Sequence, residues 1–134
     1  MIHEEIVTFG VAKLAKEKGF PQEPDKNDHS QIYCWDGLRN IHTLCEWEMR
    51  YSGEYNNEDM YAAPTQSLLQ RWLREENGYY VYPFFDNESR RWTWVCRELT
   101  GDKWIQLLDF EERYFDTYEI ALEDALKYAL ENLV

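Results

Sequence analysis

Thiols with imidazoles, clustered carboxylates and a dense run of aromatic rings are the groups in this chain that could do chemistry. His29, Cys34, His42 and Cys45 follow one another as His-x4-Cys and His-x2-Cys. Structural zinc sites use short Cys-x2–4-Cys or His-x3–5-His arms, because such an arm puts two ligands on one turn of chain. Neither arm occurs, so these four read as thiols and surface imidazoles, and neither a metal nor another cofactor is expected. A thiol nucleophile needs a base, a cation or a helix N-terminus to lower its pKa. His42 is close to Cys45, yet on a strand their odd separation turns the side chains to opposite faces. Cys96 lies in the apolar stretch Arg91 to Leu99, where a thiol packs as a small hydrophobe. Glu46 with Glu48, and Asp109 with Glu111 and Glu112, supply carboxylates. Acid–base work needs two carboxyls whose surroundings separate their pKa values, and abundance alone does not provide that. There is no glycine-rich phosphate loop, no Gly-x-Ser-x-Gly and no His-Glu-x-x-His. No catalytic residue is assigned.

The aromatic rings are the stronger signal. The chain holds six Trp, ten Tyr and six Phe. In a strand from Tyr79 to Phe85, Tyr80, Tyr82 and Phe84 share one face, and Val81 and Phe85 share the other. In a strand from Arg91 to Leu99, Trp92, Trp94 and Cys96 share a face, and Thr93, Val95, Arg97 and Leu99 share the opposite one. A sheet with one wet face alternates polar and apolar residues, and this pair is bulky on both. Either helices cover both faces, or one face is a binding surface or dimer interface. Tyr80, Tyr82, Trp92 and Trp94 form the candidate interaction surface, since Tyr and Trp combine a large apolar body with a polar handle.

The elements that position these groups follow from periodicity. Val7, Val11, Leu14, Ala15 and Lys18 make one helix face, with Thr8 as N-cap and Gly19 as the stop. Pro21 to Ser30 reads as a loop. Ile32 to Trp35, Asp36-Gly37, and Leu38 onward read as a hairpin with a tight turn. That register puts Ile32, Cys34, Ile41, Cys45 and Trp47 on one face. Leu38, Ile41, Cys45 and Met49 also fit a helical stripe, and strands are favoured over it. Tyr51 to Met60 is a polar loop. Leu68, Leu69, Trp72 and Leu73 form a second helical stripe, opened near Ala63-Pro64-Thr65 and closed by Asn77-Gly78, with the Trp72 indole expected in the core. Tyr79 to Phe85, Arg91 to Leu99 and Lys103 to Phe110 form a meander, turning at Asp86 to Arg90 and at Thr100-Gly101-Asp102. Pro83 lacks a ladder donor, which places its strand at an edge or a bulge. A final helix starts at Asp116 or Thr117, with Tyr118, Leu122, Ala125, Ala129 and Leu133 as its buried stripe.

Strands joined by hairpins, with helices at the start, middle and end, imply an α+β fold. It comprises a small antiparallel sheet, the aromatic meander with an extra hairpin, packed with three helices in a single domain over residues 1–134. The three cysteines have no tight spacing, which suits reduced thiols in a cytoplasmic protein. The start, Met1-Ile2-His3-Glu4-Glu5, has no signal-peptide character, and the longest apolar runs are too short to span a bilayer. Asn87-Glu88-Ser89 matches a glycosylation sequon, without consequence in that compartment. Net charge is −12, and such a chain repels phosphate backbones and anionic membranes. Direct nucleic-acid or membrane partners are therefore not expected, although Arg71, Arg74, Arg90, Arg91 and Arg97 could form a local basic patch. A monomer is favoured, with a homodimer left open.

The stretch Tyr61-Ala62-Ala63-Pro64-Thr65-Gln66-Ser67-Leu68-Leu69-Gln70-Arg71-Trp72-Leu73-Arg74-Glu75-Glu76 resembles a motif of small proteins encoded by phages and prophages of gut bacteria. Those proteins also open with a helix like Val11 to Gly19 and close with one like Thr117 to Glu123. The resemblance covers the helices and implies a mobile-element origin and a compact α+β fold. It carries no activity and no site. The function expected is that of a non-enzymatic accessory protein that binds a host or phage protein. A small hydrolase or transferase using the carboxylates is the alternative, and acidic mimicry of nucleic acid by the C-terminal region is a third reading.

Overall fold

The computed structural model describes residues 4–22, 31–35, 41–46, 60–107 and 113–134. The fold is α+β, with three helices and antiparallel strands among the described residues. The backbone divides into two compact units, Met1–Glu5 with Gln66–Val134, and Ile6–Thr65. No linker composition announces this division, because the chain passes from a strand straight through Pro64-Thr65 into a helix.

In the unit Ile6–Thr65, helix α1 (Phe9–Glu17) starts where Thr8 accepts a hydrogen bond from the Val11 amide. It ends in a Schellman closure, with Phe20 N–H donating to Ala15 O and Gly19 N–H to Lys16 O, and Gly19 at φ +95°. Val11, Ala12 and Ala15 form its buried face, so Val11 and Ala15 match the predicted stripe while Ala12 joins it and Leu14 is only half-buried. Strands β1 (Gln31–Trp35), β2 (Ile41–Glu46) and β3 (Met60–Ala63) form an antiparallel sheet in the order β2-β1-β3.

The hairpin reading therefore stands over its helical rival across Ile41–Glu46, and the expected Asp36-Gly37 turn lies outside the described residues. Trp35 lies opposite Ile41, which leaves residues 36–40 between the strands, and the register shifts between Tyr33 and Cys34. The shift sets Ile32 opposite Cys45 and Cys34 opposite His42, so the expected single face is broken. The ladder places β-branched Ile41, rather than Leu38, beside Trp35. The helix opens directly after Ala63-Pro64-Thr65 as expected, but Met60 to Ala63 form strand β3, where the expected loop runs to Met60. Ala63 precedes a proline, which disfavours helical backbone there. Gln22 ties β3 down: its side-chain oxygen accepts from Ala62 N–H at 2.8 Å and its amide donates to Phe20 O at 2.9 Å. Tyr61 meets Phe9 edge-on at 5.1 Å, with the Lys16 ammonium 4.8 Å from its ring centre. Residues 23–30, 36–40 and 47–59, with the expectations placed on them, lie outside the described residues.

In the other unit, helix α2 (Gln66–Asn77) precedes β4 (Tyr79–Asp86), β5 (Arg91–Thr100) and β6 (Lys103–Gln106). These strands form the predicted meander, order β4-β5-β6, with Pro83 on an edge strand. Its turns use positive φ at Arg90 and at Gly101. The third strand ends at Gln106, before the described Leu107 and short of the expected Phe110, and 108–112 lie outside the described residues. Helix α3 (Tyr118–Asn132) is capped by Thr117, not Asp116, whose hydroxyl accepts from Ile120 N–H at 3.1 Å. Its buried face is wider than the predicted stripe: Ala121, Leu126 and Leu130 join Leu122, Ala125 and Ala129, while Tyr118 turns outward. On α2 the core positions are Leu69 and Leu73. Leu68 is 41% exposed and Trp72 is only half-buried, so the indole does not fill the core as expected. Gln66, almost fully buried, bridges α2 and α3 by donating to Glu119 O and to the Glu123 carboxylate, both at 2.9 Å.

Candidate interaction surface

Antiparallel register fixes what each face of β4-β5-β6 carries. Val81 is opposite Cys96, Pro83 opposite Trp94 and Phe85 opposite Trp92. These residues form the inner face, against α3. There Trp94, 4% exposed, stacks near Tyr128 and donates its indole N–H to Asp124 at 2.9 Å. Trp92 lies between Phe85 and Tyr118, each edge-on at 5.4 Å. Its backbone exchanges two hydrogen bonds with Phe115.

The outer face carries Tyr80 opposite Arg97, Tyr82 opposite Val95, Phe84 opposite Thr93 and Leu99 opposite Trp104. Tyr80 and Tyr82 lie 4.7 Å apart, ring centre to ring centre, and Trp104 lies 6.0 Å from Tyr80. Arg97 donates its Nε–H to the Tyr82 hydroxyl at 3.1 Å. From α2, the Arg74 guanidinium reaches over the Tyr80 ring at 5.4 Å. All five side chains are half-buried, and Phe84 and Leu99, on the same face, are 40% and 42% exposed.

The structure thus brings Tyr80 and Tyr82 together and separates them from Trp92 and Trp94, which lie on the far side of the same sheet. A single surface of four residues does not exist, and Trp94 belongs to the core. Trp104 was missed by sequence reasoning. The signal was available: continuing the alternation through the Thr100-Gly101-Asp102 turn assigns Trp104 to the face of Leu99 and Tyr80.

Electrostatics sort the described arginines. Arg71 pairs with Glu75 and Arg91 with Asp116, both at 3.1 Å, and Arg113 approaches Asp124 at 4.0 Å. Arg74, Arg90 and Arg97 pair with no carboxylate among the described residues. Arg90 and Arg91 sit at the opposite end of β5 from Arg97, about 20 Å away at the rise of a strand. The five arginines are therefore not one basic patch.

The remaining chemistry is quiet. Burial, reinforced by the Glu98 charge, pushes the Cys96 thiol up to about 11, the reverse of a nucleophile's requirement. Among the described residues no three His, Cys, Asp or Glu side chains gather to hold a metal ion, and no helix is long and apolar enough to cross a membrane. His29, Glu48, Asp109, Glu111 and Glu112 lie outside the described residues, and for Cys34, His42, Cys45 and Glu46 the backbone register alone is described.

Comparison with known proteins adds no relative at this point. No protein-family model matches the chain, and no curated protein or solved structure is found similar to it.

Proposed function

We propose that this chain acts by binding another protein through the outer face of β4-β5-β6, as a non-enzymatic accessory protein of the phage type its sequence resembles. The observation that carries the reading is the connected cluster of Tyr80, Tyr82, Trp104, Arg74 and Arg97 on a face that also leaves Phe84 and Leu99 exposed. Tyr, Trp and Arg are the residues on which binding energy concentrates in protein interfaces. Here they are held against one another, so little side-chain freedom is lost on contact. The described carboxylates at the C-terminal helix lend neither rival reading support, while Glu48, Asp109, Glu111 and Glu112 lie outside the described residues and only the backbone of Glu46 is described. Glu123 is bonded to Gln66, Asp124 to Trp94 and Arg113, Asp116 to Arg91, and Glu131 lies near Lys127. Acids engaged in this way are neither a free anionic row nor a convergent catalytic pair.

The test is site-specific photocrosslinking from position 82 in cells producing the full chain. One dominant protein adduct is expected, weakened when Tyr80 and Trp104 are both replaced by alanine. Adducts no different from those formed at Glu131, on the distant end of α3, would overturn the reading.

A further inference from the structure

We infer that the occupant of the outer face is an acidic peptide segment, whose carboxylates pair with the guanidinium groups of Arg74 and Arg97 while its apolar groups lie against Tyr80, Tyr82 and Trp104. This rests on the protein-binding reading above and adds the partner's chemistry.

The argument starts from charge. With 26 acidic residues against 14 lysines and arginines, carboxylates are in large excess in this chain. Arg71, Arg91 and Arg113 each lie within ion-pair reach of one. Among the described residues Arg74, Arg90 and Arg97 do not, and of these Arg74 and Arg97 stand half-buried beside the Tyr80 and Tyr82 rings. A guanidinium has five N–H donors in a fixed plane. Tyr82 takes one donor of Arg97, and the Arg74 guanidinium carbon stands over the Tyr80 ring at 5.4 Å. Such groups are oriented in advance, and their free donors suit the two oxygens of a carboxylate. Among the described residues no carboxylate pairs with either arginine. Glu98 lies opposite Ile105 on the other side of the sheet, and Glu75 is taken by Arg71.

Net charge does not forbid this partner. Fields between exposed charges decay over about 8 Å at physiological ionic strength, while an ion pair formed on a ring-lined, partly dry surface is screened much less. The overall negative charge slows the approach of an acidic peptide and leaves the contact intact. A single-stranded nucleic acid also stacks on aromatic rings and arginines. It carries a phosphate at every nucleotide, however, and so meets far more of the −12 repulsion than a peptide with a few acids.

The sign of selection makes the inference testable, because a chain of this charge would by default collect basic peptides. The full chain is panned at physiological salt against a random library of short linear peptides, and the best binder is resynthesised with and without Glu→Gln and Asp→Asn replacements. Acidic, aromatic peptides are expected to enrich. Their affinity should fall roughly tenfold or more in Arg97→Gln and in Arg74→Gln, with Arg97→Lys in between, while thermal unfolding stays unchanged. Enrichment of basic peptides, or equal binding of the neutral analogue, overturns the inference. If apolar peptides bind, and binding depends on Tyr82 and Trp104 but not on the arginines, the acidic partner is wrong and the protein-binding face survives. No binding that responds to any of these residues overturns both. Tighter binding of oligo-dT than of any peptide, lost in Arg97→Gln, overturns the peptide in favour of nucleic acid.

Discussion

Cys96 lies between Val95 and Arg97, yet its chemistry is set by the inner face alone. Its side chain is wholly buried opposite Val81, and that burial pushes the thiol up to about 11 from 9.0. Iodoacetamide at pH 8 should therefore leave Cys96 unmodified in the native protein and alkylate it in denaturant, as read by peptide mapping that separates it from Cys34 and Cys45. The same shift has a thermodynamic sign. A folded pKa above the unfolded one means that stability is fully present below pH 9.0 and is lost as pH rises toward 11, where the unfolded chain ionises first. A Cys96→Ala variant should lose less stability than the parent over that window, measured by urea unfolding at each pH. Equal losses in the two proteins would refute the linkage.

Helix α3 tests which of two adjacent residues does the capping. The Thr117 hydroxyl accepts the Ile120 amide, whereas Asp116 pairs with Arg91 at the surface, its side chain 82% exposed. Thr117→Ala should cost about 1 kcal/mol, and Asp116→Ala should cost less than that, since exposed ion pairs contribute little. Chemical denaturation of the two variants decides between them. The start of α3 was legible to within a residue because Asp and Thr both cap well, and only the hydroxyl's geometry separates them. The meander was legible, from its turns to its edge-strand proline, because period-two patterning with turn residues is a local signal. The β1-β2 register shift and strand β3 were not. A bulge and a four-residue strand are settled by pairing across the sheet, and their local sequence is silent on both. The same limit applied to the site. Parity along one strand placed Tyr80 with Tyr82, but only inter-strand register showed that Trp92 and Trp94 face the other way and that Trp104 belongs with the tyrosines.

At the scale of the whole chain, the informative feature is where the unit Ile6–Thr65 begins and ends. Ile6 bridges Thr65, and Val7 N–H donates to Pro64 O at 3.0 Å. One residue outward, within the other unit, Gln66 N–H donates to Glu5 O at 2.8 Å and Ser67 donates to the Glu4 carboxylate. The chain thus leaves and re-enters the first unit at neighbouring points. Joining Glu5 to Gln66 through about two glycines spans so small a gap, and each halving of the closed loop lowers its entropic cost by about 0.6 kcal/mol. The shortened protein should still unfold cooperatively, monitored by the fluorescence of Trp72, Trp92, Trp94 and Trp104, and a gradual transition would show that the unit cannot stand alone. In topological terms, residues 6–65 are a cassette whose two ends meet at strand spacing, and the seam is where another fold with adjoining termini can be joined.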